Sequence, residues 1–419
     1  MTLVRKTGIF PTKSHFFEED SMTQTAPRGE RLNIGLFGRR NAGKSSLLNA
    51  LCGQEVSIVS DVAGTTTDAV SKIYELIPVG PVTFFDTAGV DDKGEIGQKR
   101  VNATMRVMKK VDIAMVITDE TGVGAEEDVL IKELKELGVP FVVVFNKCDK
   151  VNITGYGFDF PTISVSAKDG ANIEELKALL KSLVPESFKK RPPLVADLIK
   201  AGDTVVCIAP IDASAPKGRL ILPQVQVIRD ILDTGAYAYT VQNQNDYKAV
   251  EANLKNPPAL VITDSQLIRA VAETVPQTVP LTTFSTLFAR YKGDFETLLH
   301  GARKLQQLTD GSRVLIAEAC SHHVQDDDIA RVKMPALIQK ACAGKIDFNW
   351  CAGVDFPDDL GDYDLVVHCG GCMLTRQETL RRLNECVRSN VPVTNFGMAL
   401  SAVQGVLDRV TAPFFGTSK

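Results

Sequence analysis

The 419-residue chain has no run of about 18 or more apolar residues, the length that would cross a bilayer, and no apolar leader ending at a small-residue cleavage site. A soluble, cytoplasmic protein with no membrane partner is therefore expected. There is no surplus of positive charge, with 47 basic against 51 acidic residues, so nothing in the balance draws the chain to nucleic acid. Nine cysteines are too few for a disulfide scaffold at this length, and an odd number without an export signal points to reduced thiols available as ligands. No short sequence repeat is visible. What remains is a chain long enough for two or three domains, each with its own core.

Residues 1–30 are polar, contain Pro11 and Pro27 and lack sustained periodicity, so they read as a mobile arm. Met22 is a candidate natural start, with residues 1–21 an upstream extension. From Leu32 short apolar strands alternate with helices: Leu32 to Phe37, Val82 to Phe85, Ile113 to Ile117 and Phe141 to Phe145 are of the kind a parallel sheet buries on both faces. Pro185 ends this first unit, 31–187, and Lys189-Lys190-Arg191-Pro192-Pro193 has linker composition. Alternation resumes with strands near Thr204 to Pro210, Ala236 to Val241 and Leu260 to Thr263, giving a second unit over 194–283. A long helical segment containing Leu287, Tyr291, Leu298 and Leu305 opens a third, 284–419, with strands at Arg313 to Ala317 and Asp364 to Val367 and a helix from Thr375 to Val387. The expected fold is three α/β units with mostly parallel sheets.

Gly38-Arg39-Arg40-Asn41-Ala42-Gly43-Lys44-Ser45 matches the phosphate-loop pattern between a strand and a helix. Backbone N–H groups and the helix N-terminus receive phosphate, Lys44 reaches the terminal phosphates and Ser45 ligates Mg²⁺. Gly38, Asn41, Ala42, Gly43, Lys44, Ser45 and Ser46 are the candidate phosphate contacts. Asn146-Lys147-Cys148-Asp149 follows a strand, where the Asp149 carboxylate can accept from guanine N1–H and its 2-amino group, selecting GTP. Ser166, Ala167 and Lys168 complete the base pocket. Asp86-Thr87-Ala88-Gly89 offers a carboxylate to the Mg²⁺ shell and the Gly89 amide to the γ-phosphate, and Gly64-Thr65-Thr66-Thr67-Asp68, with Thr66 toward Mg²⁺, is a candidate first switch. Any single piece can be an ordinary turn or cap. Five in this order and strand context cannot easily be coincidence.

Together they resemble GTPases of the Era and MnmE type, from Leu32 to Val184. Val90 follows the Asp-Thr-Ala-Gly motif where Ras-like enzymes carry the glutamine that orients water. In MnmE-like enzymes a phosphate-loop asparagine helps hold a K⁺ ion in place of an arginine finger, and Asn41 matches it. The resemblance thus implies slow, K⁺-stimulated GTP hydrolysis to GDP. Of Asp91, Asp92 and Glu95, most read as a solvated switch loop.

Cys52, Cys148, Cys207, Cys342, Cys351 and Cys386 read as small buried hydrophobes. Cys320 and Cys369 each follow a predicted strand, where open α/β sheets place ligands, and Cys369-Gly370-Gly371-Cys372 sets two thiols on one turn. Three readings stand: structural Zn²⁺ completed by His322 or His368, a thiol redox pair, or a [4Fe–4S] cluster with one open iron. Asp326-Asp327-Asp328 reads as a helix cap and His323 as a surface neighbour.

Cys320-Ser321-His322 and the distant His368-Cys369-Gly370-Gly371-Cys372, attached to this GTPase, resemble the HydF family of [FeFe]-hydrogenase maturation proteins. That resemblance implies a dimerisation domain over 194–283, making a homodimer, and a cluster domain over 284–419. It also implies three thiolates, Cys320, Cys369 and Cys372, on a [4Fe–4S] cluster with a labile fourth site. His322, His368 or a carboxylate such as Asp212 are candidates for that site. A scaffold follows that receives a diiron precursor from radical-SAM maturases and delivers it to apo-[FeFe]-hydrogenase. The competing class is a zinc-stabilised GTPase acting in ribosome assembly or tRNA modification, disfavoured by the absent basic surplus.

Overall fold

The computed structural model describes residues 28–53, 70–77, 79–87, 95–151, 157–189, 192–211, 220–319, 329–353, 355–371 and 374–416. Among these, no helix is long and apolar enough to cross a membrane. The first sheet joins Leu32–Phe37 (β1), Val70–Leu76 (β2), Gly80–Asp86 (β3), Ile113–Thr118 (β4), Phe141–Phe145 (β5) and Thr162–Ser164 (β6) in the order β2-β3-β1-β4-β5-β6. Only β2 is antiparallel. β1, β4 and β5 are buried throughout because both faces are covered: Leu36, Leu47 and Leu176 pack on one, and Phe37, Val116 and Leu134 on the other.

Thr204–Ile208 (β7), Tyr237–Val241 (β8), Leu260–Thr263 (β9) and Leu281–Thr283 (β10) form an all-parallel sheet ordered β10-β9-β7-β8. Arg313–Glu318 (β11), Asp347–Ala352 (β12), Leu365–His368 (β13) and Val393–Asn395 (β14) form another, ordered β12-β11-β13-β14. The expected α/β architecture is therefore present in all three units. Written from the last strand, the two four-stranded orders are the same: fourth, third, first, second. The repetition invisible in the sequence is one of topology. It extends to detail, since the fourth strand of each unit runs straight into a helix whose cap is that strand's last residue, Thr283 or Asn395, followed by Phe284 or Phe396. β10 and β14 are three residues long, and β12 has no alternating burial, so none announces itself in the pattern.

The long helical segment expected from Leu287 to Leu305 is two helices, Phe284–Lys292 and Phe295–Lys304. Asp294 separates them, its carboxylate accepting the Thr297 N–H at 2.8 Å as an N-cap. The break lets the chain cross over. Phe284, Leu287 and Phe288 pack into the second unit, whereas Leu298, Leu299 and Ala302 pack with Val314, Val366 and Val393 of the third. A later element reaches the second unit as well: Val410, in the helix Leu407–Thr411, enters the core of Val206, Val261 and Leu281, and its carbonyl accepts from Thr282 Oγ1 at 2.9 Å. At the centre, equivalent residues meet, because a Cβ on Gly397 would stand 2.0 Å from Ser285 Cβ. The second and third units thus meet at equivalent turns.

The third unit also docks on the first. Thr375, the N-cap of the helix Arg376–Arg388, donates through Oγ1 to Asp112 Oδ1 at 3.0 Å. Asp112 Oδ2 accepts the Asn33 N–H of β1 at 2.8 Å, and Arg381 Nη1 donates to the Lys109 carbonyl at 3.0 Å. Asp112 lies just beyond the helix Glu95–Met108. Burial pushes its carboxyl up to about 6, and burial pushes that of Glu378, on the same seam, up to about 7.

Candidate nucleotide and cysteine sites

The phosphate loop follows β1 and ends in the helix Lys44–Cys52. Its turn needs left-handed backbone at Asn41 (φ 64°) and Gly43 (φ 92°), and a Cβ on Gly43 would lie 2.2 Å from Asn146 Nδ2. Lys44 Nζ donates to the carbonyls of Gly38 at 2.9 Å and Arg39 at 2.8 Å, inside the loop. Ser45 Oγ donates to Asp86 Oδ2 at 2.7 Å, so two of the three Mg²⁺-side candidates are adjacent. Asn146 ties the loop to the base pocket: Nδ2 donates to Ala42 O at 3.0 Å and Oδ1 accepts from Ala167 N at 3.1 Å. Ser166 Oγ donates to Asp149 Oδ1 at 2.9 Å, while Lys168 and Ser46 are exposed. Lys147, at φ 64°, pairs with Asp119 at 3.4 Å.

Sequence reasoning passed over Arg39. Its Nε pairs with the buried Glu127 at 2.8 Å and its Nη2 donates to Thr118 Oγ1 at 3.0 Å. The guanidinium thus braces the phosphate loop against the β4 end. Nothing about a second basic residue in a phosphate loop distinguishes a brace from a phosphate contact.

Cys320, Cys372 and His322 lie outside the described residues, as do Thr66, Gly89 and Asp212. Among the described residues no three His, Cys, Asp or Glu side chains gather as a metal site. The described part nevertheless brings the two chain segments together. β11 and β13 are parallel neighbours with Ala317 opposite His368, and the Ala319 N–H donates to Cys369 Sγ at 3.2 Å. The residue next to Cys320 therefore touches the first thiol of the Cys-x-x-Cys turn. An N–H aimed at sulfur stabilises a thiolate. Gly371, at φ 60°, turns the chain between the two cysteines. The described part of this site is one thiol, Cys369, with an amide on its sulfur, and cysteine sulfur is a soft donor of the kind that zinc and iron–sulfur clusters take.

His368 is hydrogen-bonded at both ring nitrogens. It is buried, Arg382 Nε donates to its Nε2 at 2.7 Å, and its Nδ1 donates to the Cys369 carbonyl at 2.6 Å. Burial and the neighbouring guanidinium push its pKa down to about 3, so the imidazole is neutral. In this arrangement both ring nitrogens are occupied, and the side chain fixes the Cys369 backbone. Of the remaining cysteines, Cys52, Cys207 and Cys386 are buried, and Cys148, Cys342 and Cys351 half-buried. Burial raises the thiol pKa of each.

The first unit's sheet, with the Lys44 loop, the Ser45–Asp86 pair and the Asn146–Asp149 pocket, defines a P-loop GTPase domain, and residues 33–147 match the family model described as a 50S ribosome-binding GTPase. Residues 194–293 match the hydrogen maturase F dimerization domain and residues 295–413 its tetramerization domain; the chain belongs to the hydrogen maturase F family. Similar curated proteins include the GTPase Der of Wolinella succinogenes, 36% identical over 194 residues, 42% of this chain and 40% of that protein. The tRNA modification GTPase MnmE of Legionella pneumophila is 33% identical over 159 residues, 37% of this chain and 35% of that protein. The chain thus spans 40% or less of the length of these two relatives. Among solved structures, Era of Aquifex aeolicus bound to GDP.AlF4- is 23% identical, covering 50% of this chain and 92% of that one at a TM-score of 0.32.

Proposed function

We propose that this protein is a GTP-hydrolysing carrier of hydrogenase maturation, which binds a [4Fe–4S] cluster through Cys320, Cys369 and Cys372 and passes a diiron precursor from radical-SAM maturases to apo-[FeFe]-hydrogenase. The observation that carries the reading is the Ala319–Cys369 contact, which unites the two cysteine segments at adjacent strand ends in a chain of this family. A bound cluster would supply an open iron position at which cargo is held. The chain's part is to anchor, shield and regulate. The two assembly-domain matches support self-association, and the tetramerization match goes beyond the homodimer expected from sequence.

In the nucleotide site Lys44 neutralises terminal phosphates, and Ser45, Thr66 and Asp86 serve Mg²⁺. The Gly89 amide meets the γ-phosphate, and Asp149 reads guanine. Asn41, left-handed and exposed, serves K⁺. Slow hydrolysis faster in K⁺ than in Na⁺ is expected, and equal turnover in the two salts overturns the K⁺ assignment. The seam at Asp112 supports gating: the carboxylate joins β1, which leads into the phosphate loop, to the cap of the helix after Cys372. Locked GDP and GTP-analogue states should differ in affinity for maturases or hydrogenase; equal affinities and rates sink the gate.

The central test is anaerobic reconstitution with iron and sulfide, loading by the maturases, transfer to apo-hydrogenase and assay of hydrogen evolution. Colourless protein with stoichiometric zinc and no transfer would overturn the carrier reading and support the zinc-stabilised GTPase instead.

A further inference from the structure

Lys292 ends the helix Phe284–Lys292, which packs into the second unit, yet its side chain is only 3% exposed and points into the third. Its Nζ donates to the Leu374 carbonyl at 2.9 Å and to the Gly371 carbonyl at 3.3 Å, the two described residues that bracket Cys372. Lysine is seldom buried so deeply, because desolvating an ammonium costs several kcal/mol unless charge or dipoles replace the water. The contact is locked from the other side. Arg376, in the first turn of the helix after the cysteine turn, donates through Nη1 to the carbonyls of Tyr291 at 2.7 Å and Gly293 at 3.0 Å. Each element thus caps the other's chain end. Lys292 and Cys369 also line the same recess, with Phe288, Gly370 and Thr379.

The repeated topology supplies an internal control. Asp264 stands where Cys369 stands: the Asp264 N–H donates to Ile208 O as the Cys369 N–H donates to Ala317 O, each just past the third strand of its unit. The two capped helices align Phe284 with Phe396, which puts Gln404 in the place of Lys292. The fold therefore accepts a neutral residue at this position. Among the described residues, this helix end carries a cation only on the side with the cysteine turn.

We propose that Lys292 is a positioning residue of the cysteine site, contributed by a helix packed on the second unit, which fixes the Gly371–Leu374 turn and sets positive charge beside an anionic iron–sulfur cluster. The inference rests on the cluster reading above. A cation close to the cluster favours the state with one more electron, so removing it makes reduction harder.

Full-length wild type, Lys292→Met and Lys292→Arg are reconstituted anaerobically with ferrous iron and sulfide. Iron and sulfide per chain are measured, and the midpoint potential is followed by EPR during dithionite titration. Lys292→Met should retain at least threefold less cluster and reduce at a more negative potential; Lys292→Arg, which keeps the charge, should stay near the wild-type potential. Unchanged potential in both variants, or an equal shift in both, overturns the proposal. If Lys292→Met does not fold by circular dichroism, Lys292→Gln takes its place with the same expectation. If wild type itself takes up no iron and sulfide, it is the cluster reading that fails.

Discussion

The second and third units share strand order, all-parallel pairing and the strand-to-helix turn after the last strand, yet only one presents thiols at the end of its third strand. Where the third unit has His368-Cys369 and a buried lysine reaching across, the second has Thr263-Asp264 and Gln404. The scaffold is common to both, and the chemistry is decided by a few side chains at one strand end. The crossing adds a second lesson: the helix that packs on the second unit ends in a lysine that reaches the turn of the third.

The comparison can be broken most directly at its thiol. Cys369→Ala should lower reconstituted iron and sulfide at least tenfold, whereas Asp264→Ala, its counterpart, should stay within twofold of wild type. Equal losses would mean that the two strand ends are not functionally distinct. Next in size is the crossing from one unit to the next. Leu299 lies just past the break at Asp294 and is buried in the third unit's core, so Leu299→Ala should destabilise by about 2–5 kcal/mol. Because helices past residue 284 complete the second unit's core, Trp350 fluorescence, from the one tryptophan and within the third unit, should fall together with the loss of second-unit structure. Separate transitions would show that the shared helices do not couple them.

Only the third unit, among the described residues, places the buried carboxyl Glu378 against Asp112 of the first. An acid whose pKa is higher folded than unfolded holds its proton more tightly in the fold. The seam's contribution is therefore full below about pH 4 and is lost as pH rises through about 6 for Asp112 and about 7 for Glu378. For Asp112 the change is on the order of 3 kcal/mol. Denaturant midpoints from pH 4 to 8 should show this decline, and Asp112→Asn with Glu378→Gln should flatten it; an unaltered slope refutes the assignment. The smallest effect is at the centre of the pair. Gly397→Ala pushes a methyl into Ser285 and should cost about 1–3 kcal/mol, with Ser285→Gly recovering most of it in a double-mutant cycle. Additive losses would place the clash elsewhere.

The nucleotide site was legible because its chemistry is local: glycines, Lys44 and Ser45 occupy one loop, and Asn146 to Asp149 one strand end, so spacing alone carries the pattern. The alternation of apolar strands and helices likewise announced three α/β units, since buried parallel strands need continuous apolar runs. The break at Asp294 was missed because Leu287, Tyr291, Leu298 and Leu305 keep a helical spacing across it. Lys292 was equally hidden, as a lysine closing an amphipathic helix ordinarily answers the helix dipole in solvent.

By itself the sequence determined the residue types available for chemistry and the order of the strands that carry them. Tertiary structure decided which strand ends are neighbours, that His368 is held by Arg382 and Cys369, and that Lys292 crosses from one unit to the next. The reason is physical. Register and helix crossing are fixed by packing between segments tens to hundreds of residues apart, and no local pattern encodes such a contact.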